Sequence, residues 1–156
     1  MEYRVDLFEP DGDLNSALNR LTNIFAPLYT EAWVKKKSRD HPGLKFDMNV
    51  AVFANMWYAK ASKIFLAMDE AGRACGYLVA IVFRPMTHNV AMLQIEDWYG
   101  EAPEIEDALF NHVYSVMRYM GIDEVQINHG QGERYVEPPA GWAPAETATV
   151  TRYVKV

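Results

Sequence analysis

Apolar positions recur along the chain with two periods, one helical and one strand-like. Leu14, Leu18, Leu21, Phe25 and Leu28 follow the spacing of a helix face, and Asp13 before them is placed to cap it. The strand-like "YRVDLFE" and the turn "PDGD" precede that helix. Pro27 lies inside the stripe and predicts a kink or an end there. After a loop, "KKKSRDHPGLK", Asp47 can cap a second helix with Val50, Phe53, Ala54, Trp57, Tyr58 and Ala61 on one face. The period then changes. "KIFLAM", "DEAG" and "RACGYLVAIVF" read as strand, tight turn and strand, and "RPMTHN" turns the chain into a further strand, "VAMLQIEDW". Ile105, Ala108, Leu109, Val113, Val116, Met117 and Met120 form the stripe of a third helix, which Gly121 is placed to close. "DEVQINHG" is a short strand, "GQGERYVEPPAGWAPAE" is irregular, and "TATVTRYVKV" alternates as a terminal strand. The predicted order is β-α-α-β-β-β-α-β-loop-β. It describes a single α/β (α+β) domain over residues 1–156, a mixed sheet with helices on both faces.

Composition narrows the function classes. The 156 residues, half apolar and 13% aromatic, suffice for one core and argue against disorder. A net charge of -6 disfavours a general nucleic-acid binder. The basic run "KKKSR", Lys35 to Arg39, reads as a solvated helix end or as a patch for an acidic partner. The single cysteine, Cys75, excludes an internal disulfide, fits a reducing compartment, and sits in apolar strand context as a packed thiol. The N-terminus has no apolar signal-like run, and "YLVAIVF" is too short to span a bilayer, so a soluble, cytoplasmic protein is expected. His41, His88, His112 and His129 have no metal-ligand spacing, so no metal site is expected.

Several local patterns occur together in a telling order. They are the hairpin "MDEAGRACGYLVAIVF", the strand "LQIEDWY", the helix and strand "LFNHVYSVMRYMGIDEVQI", and the last strand "TRYVKV". Asn128 leaves the short strand, Tyr135 follows seven positions on, and Gly141-Trp142 comes soon after. Over nearly the whole chain this resembles the GNAT superfamily of N-acetyltransferases. The resemblance implies acetyl transfer from acetyl-coenzyme A (CoA) to an amine, on a small molecule or a protein. It implies Glu96 as general base and Tyr135 as the acid that protonates the leaving thiolate. It also implies a splay between the fourth and fifth strands that takes the acyl-pantetheine arm. Trp98, Tyr99, Gly100, Glu101, Ala102 and Asn128 are the cofactor contacts it implies. Glu96 and Asp97 are adjacent, so alternation predicts that they face opposite sides of the sheet.

The resemblance breaks at "WYGEAPEIEDAL". The family has [QR]-x-x-G-x-[GA] there, to cradle a pyrophosphate. This chain has Glu101, Glu104, Glu106, Asp107 and Pro103. A carboxylate ~4 Å from a phosphate charge opposes it by about 1 kcal/mol in water and about 4 at an effective dielectric of 20. The turn therefore reads as a plain helix start favoured by the macrodipole, as a divergent CoA site built on Gly100, or as a site for a cation or basic partner. The alternative to an enzyme is a catalytically silent GNAT-fold module that binds a protein partner or a second copy. Its long Trp-bearing second helix is similar to that of proteins encoded in phage genomes, which implies a viral accessory or virion-associated role.

Overall fold

In the computed structural model the described residues are 2–38, 50–84, 86, 89–130, 132–148, 151, 153 and 155. Among these residues five strands form one sheet in the order β1 (Arg4–Phe8), β2 (Ser62–Met68), β3 (Ala74–Phe83), β4 (Met92–Gly100), β5 (Glu124–Ile127). The first three pairings are antiparallel and β4 pairs β5 in parallel. The β2–β3 turn is set locally. Asp69 accepts from Ala71 N–H at 3.0 Å and Arg73 N–H at 2.9 Å, and Gly72 takes φ +79°, which L side chains resist.

Alternation along the strands feeds two cores. Phe65, Ala67, Leu78, Leu93, Ile95 and Trp98 pack on the stripe of α3 (Pro103–Met120) through Ile105, Leu109, Phe110, Val113 and Met117. Ile64, Leu66, Tyr77, Val79 and Tyr99 pack on the opposite layer, α1 (residues 14–37) and α2 (Val50–Tyr58). Strands covered on both faces read as near-continuous apolar runs, which explains "IFLAM" and "GYLVAIVF". Gly121 closes α3 at φ 65° as its position predicts, with Ile122 N–H donating to Met117 O at 3.1 Å. Cys75 is buried, and its thiol donates to Ala67 O at 3.4 Å.

The first helix, α1, runs through residues 14–37 and does not stop at Pro27. It alternates α segments, Leu14–Arg20 and Ala26–Ala32, with π turns, Leu21–Phe25 and Trp33–Lys37. Pro27 has no N–H to return to the previous turn. The π turn before it changes the hydrogen-bond step, with Ala26 N–H donating to Leu21 O, and lets the helix pass. Leu14, expected on the inward face, is 41% exposed, and Ala17 is buried instead.

Helix α2 (Val50–Tyr58) buries Ala54 and Trp57. The Trp57 indole donates to Phe8 O at 2.6 Å and stacks on the Phe8 ring at 4.7 Å. The helix ends before Ala61, because Lys60 turns the chain at φ 61°. A left-handed lysine is strained, and Lys60→Gly should raise stability by about 0.5–1 kcal/mol, read as a higher denaturant midpoint at unchanged slope.

Asp47 and residues 39–49, Pro85, Thr87 and His88 lie outside the described residues, as does His41. The terminal strand expected over 147–156 falls half on such residues, and those of it that are described carry no strand. Among the described residues no helix is long and apolar enough to cross a membrane.

Candidate active site

The site lies where β4 and β5 part. Parallel pairing runs from Met92↔Glu124 to Ile95↔Ile127, and Asn128 N–H donates to Ile95 O at 2.9 Å. Beyond that point β4 continues from Glu96 to Gly100, paired with β3. The chain leaving β5 returns beside it, and the Trp98 indole donates to Arg134 O at 3.1 Å.

A bulge falls at the parting. Val79 pairs with Asp97 and Ala80 with Ile95, which leaves Glu96 as the extra residue. The expectation that Glu96 and Asp97 face opposite ways is therefore wrong. Leu93, Ile95 and Trp98 belong to the α3 core, so Gln94, Glu96 and Asp97 all fall on the α1 side. The surplus residue absorbs the half-turn that alternation would demand.

Both carboxylates are held. Glu96 Oε1 accepts from the Gln94 side-chain amide, and Oε2 accepts from Asn128 Nδ2 at 3.0 Å. Asn128 Oδ1 accepts in turn from Gln126 at 3.3 Å. Asn128, expected as a cofactor contact, thus orients Glu96. Asp97 Oδ2 accepts from the Tyr77 hydroxyl at 2.9 Å. Burial first, then Tyr29 and Glu133, push the Tyr77 phenol well above its ordinary pKa, so it stays a donor. Tyr29, Phe25 and Tyr99 surround Tyr77 at ring-centroid distances of 5.7, 5.1 and 6.3 Å. Tyr135 is half-buried and stacks on His129 at 4.6 Å. Among the described residues no hydrogen bond joins it to Glu96.

Three carboxylates of the acidic turn, Glu101, Glu106 and Asp107, are paired with the chain's own cations. Arg73 grips Glu101 with two bonds of 2.7 Å and approaches Asp69 at 3.3 Å. That bond, against the opposing effect of burial, lowers the Glu101 pKa. A carboxyl lowered in the folded state adds stability above its unfolded pKa and loses it as pH falls. Arg73→Gln should therefore lower Tm at pH 7, with the difference from the parent shrinking as pH falls below the ordinary carboxylate range.

Ala102 caps α3 in extended conformation (φ -144°) without a side-chain bond. Gly100 is covered. A Cβ there would meet Glu106 Cγ and Glu106 N, each at 2.9 Å. The Glu106 carboxylate then takes Lys36 Nζ at 3.3 Å on one oxygen and Arg134 Nη1 at 3.1 Å on the other. Lys36 also meets Glu133 Oε1 at 3.4 Å and stands over the Trp98 ring at 5.3 Å, and Arg134 pairs with Asp107. Glu133 Oε2 accepts from Gly130 N–H at 2.8 Å. The Lys36 and Glu106 side chains are 15% and 10% exposed.

Gln94, Lys36, Glu133 and Arg134 were not singled out from the sequence. Lys36 had a signal. The buried residues Phe25, Leu28 and Ala32, continued by one turn, reach Lys36, so it is no part of a solvated basic end. Lys35 does fit that end, pairing at the surface with Glu31 at 2.6 Å.

No protein-family model matches the sequence, and no curated protein does. Solved structures do match. An aminoglycoside acetyltransferase from an uncultured soil metagenomic sample, in complex with sisomicin, superposes with TM-score 0.63 at 14% identity, over 99% of this chain and 96% of that one. A ribosomal-protein-alanine N-acetyltransferase from Brucella melitensis gives 0.60 at 14%, over 97% and 99%. A GNAT family acetyltransferase from Staphylococcus aureus gives 0.53 at 14%, over 94% and 100%. The fold is that of the GNAT acetyltransferases. At these identities the likeness is one of fold, and the chemistry rests on the residues above. The parting of β4 and β5 is the feature that Glu96 and Asn128 flank.

Proposed function

We propose that this single domain transfers an acetyl group from acetyl-CoA to a cationic amine, with Glu96 as general base. The observation that carries the reading is the Glu96 carboxylate, set on a bulge at the β4–β5 parting and oriented through both oxygens by Gln94 and Asn128. An amine enters as ammonium and must lose a proton before its lone pair can attack. Glu96, with lone pairs left on both oxygens, is the acceptor for that proton. Tyr135, stacked on His129, is the donor that protonates the departing sulfur. Asp97 and Glu96 near Tyr29, Tyr77 and Tyr99 suit a positively charged acceptor, whether a small molecule or a protein amino group. Acetyl-CoA supplies the acyl group as a thioester. The chain fits it at one end: β4 beyond Ile95 suits an extended acyl-pantetheine arm. At the other end Glu106 sits where the diphosphate would approach Gly100.

That misfit favours the second reading, a GNAT-fold binding module without turnover. Radiolabelled acetyl-CoA incubated with a panel of polyamines, aminoglycosides and N-terminal peptides separates the two. Label on an amine supports transfer. Label that stays on CoA across the whole panel overturns it in favour of the module.

A further inference from the structure

Glu106 differs from an ordinary acidic residue at a helix start in where its side chain goes. Such residues usually sit in water, where the dipole favours them without desolvation. Glu106 instead folds back over Gly100 and is bonded to two cations from distant parts of the chain, Lys36 on α1 and Arg134 beyond β5. Two cations converging on a helix start, beside a glycine over which the Glu106 side chain is packed, have the make-up of an anion seat. The chain fills that seat with its own carboxylate. Lys36 and Arg134 face Glu106, Glu133 and Asp107, so the group already carries more negative than positive charge. An entering phosphate would meet both that surplus and the Glu106 methylenes.

We propose that Glu106 is an internal anion that closes the start of α3 to phosphate-bearing ligands, and that Lys36 and Arg134 become available to a diphosphate only when Glu106 is displaced. This holds or fails independently of acetyl transfer, because the probe carries no acyl group.

The test is calorimetric titration of inorganic pyrophosphate into the full chain. Glu106→Gln keeps the side-chain shape and leaves Lys36 to Glu133 and Arg134 to Asp107, so the remaining charges balance. It should bind pyrophosphate about tenfold tighter than the parent, or better. Adding Arg134→Gln should remove that gain. Equal affinity of parent and Glu106→Gln would overturn the proposal, and so would a gain that survives Arg134→Gln, which would mark a general charge effect. Should Glu106→Gln not fold, Glu106→Asp takes its place. It keeps the helix start, withdraws the carboxylate by one methylene, and should shift affinity in the same direction.

Discussion

Glu96→Gln should lower turnover about 10²–10⁴-fold, the usual worth of a positioned base. The side chain keeps its shape and can still accept from Asn128, so the site should stay assembled. Acetyl-CoA affinity should hold, because the loss falls on a proton transfer made only in the transition state. Raising the pH should recover part of the rate for acceptors that deprotonate in solution, since those arrive without the proton that Glu96 removes. The measurement is a steady-state comparison of kcat and KM across pH for parent and variant. A variant with the parent's kcat at every pH would remove Glu96 from the chemistry.

The largest loss of stability is expected at Lys36. Lys36→Met removes the cation that Glu106 and Glu133 share, and both carboxylates are mostly enclosed. Taking one partner from a buried ion pair costs about 3–5 kcal/mol, and here the loss falls chiefly on Glu133, since Glu106 keeps Arg134 on its other oxygen. The thioether recovers some packing on Trp98 but no charge. Chemical denaturation of Lys36→Met and of the double variant Lys36→Met/Glu106→Gln measures it. The double variant should be the more stable of the two. If Lys36→Met unfolds at the parent's midpoint, the network contributes nothing to the folded state.

These two residues mark the boundary of what the sequence discloses. Glu96 is proposed as the base on local pattern: a strand signature, a carboxylate near its end, and an order of elements that resembles a known fold. The hairpin at Asp69–Arg73 and the Gly121 cap are similarly local, because each depends on a few neighbouring residues. The bulge is different. Nothing in "LQIEDWY" shows that Glu96 is surplus, since the surplus exists only relative to Val79 and Ala80 on β3. The Lys36–Glu106 pair spans a sequence separation of 70, so neither residue reveals the other. The passage of α1 through Pro27 likewise follows from a change of hydrogen-bond step, which apolar spacing does not report. The charge of the acidic turn was legible in the sequence. That its charges are answered by Arg73, Lys36 and Arg134 was not.

The bulge also determines how the site can be lost. Without Glu96 the flanking pairs, Ile95 with Ala80 and Asp97 with Val79, would follow each other in an uninterrupted ladder. Ile95, Asp97 and Trp98 would then alternate as an ordinary strand does, with every core contact kept. Removing a codon elsewhere in a central strand turns all later side chains inside out. At this position it straightens the strand and takes away the proposed base in one event. A lineage could leave chemistry behind by a single in-frame deletion and keep the scaffold for other uses.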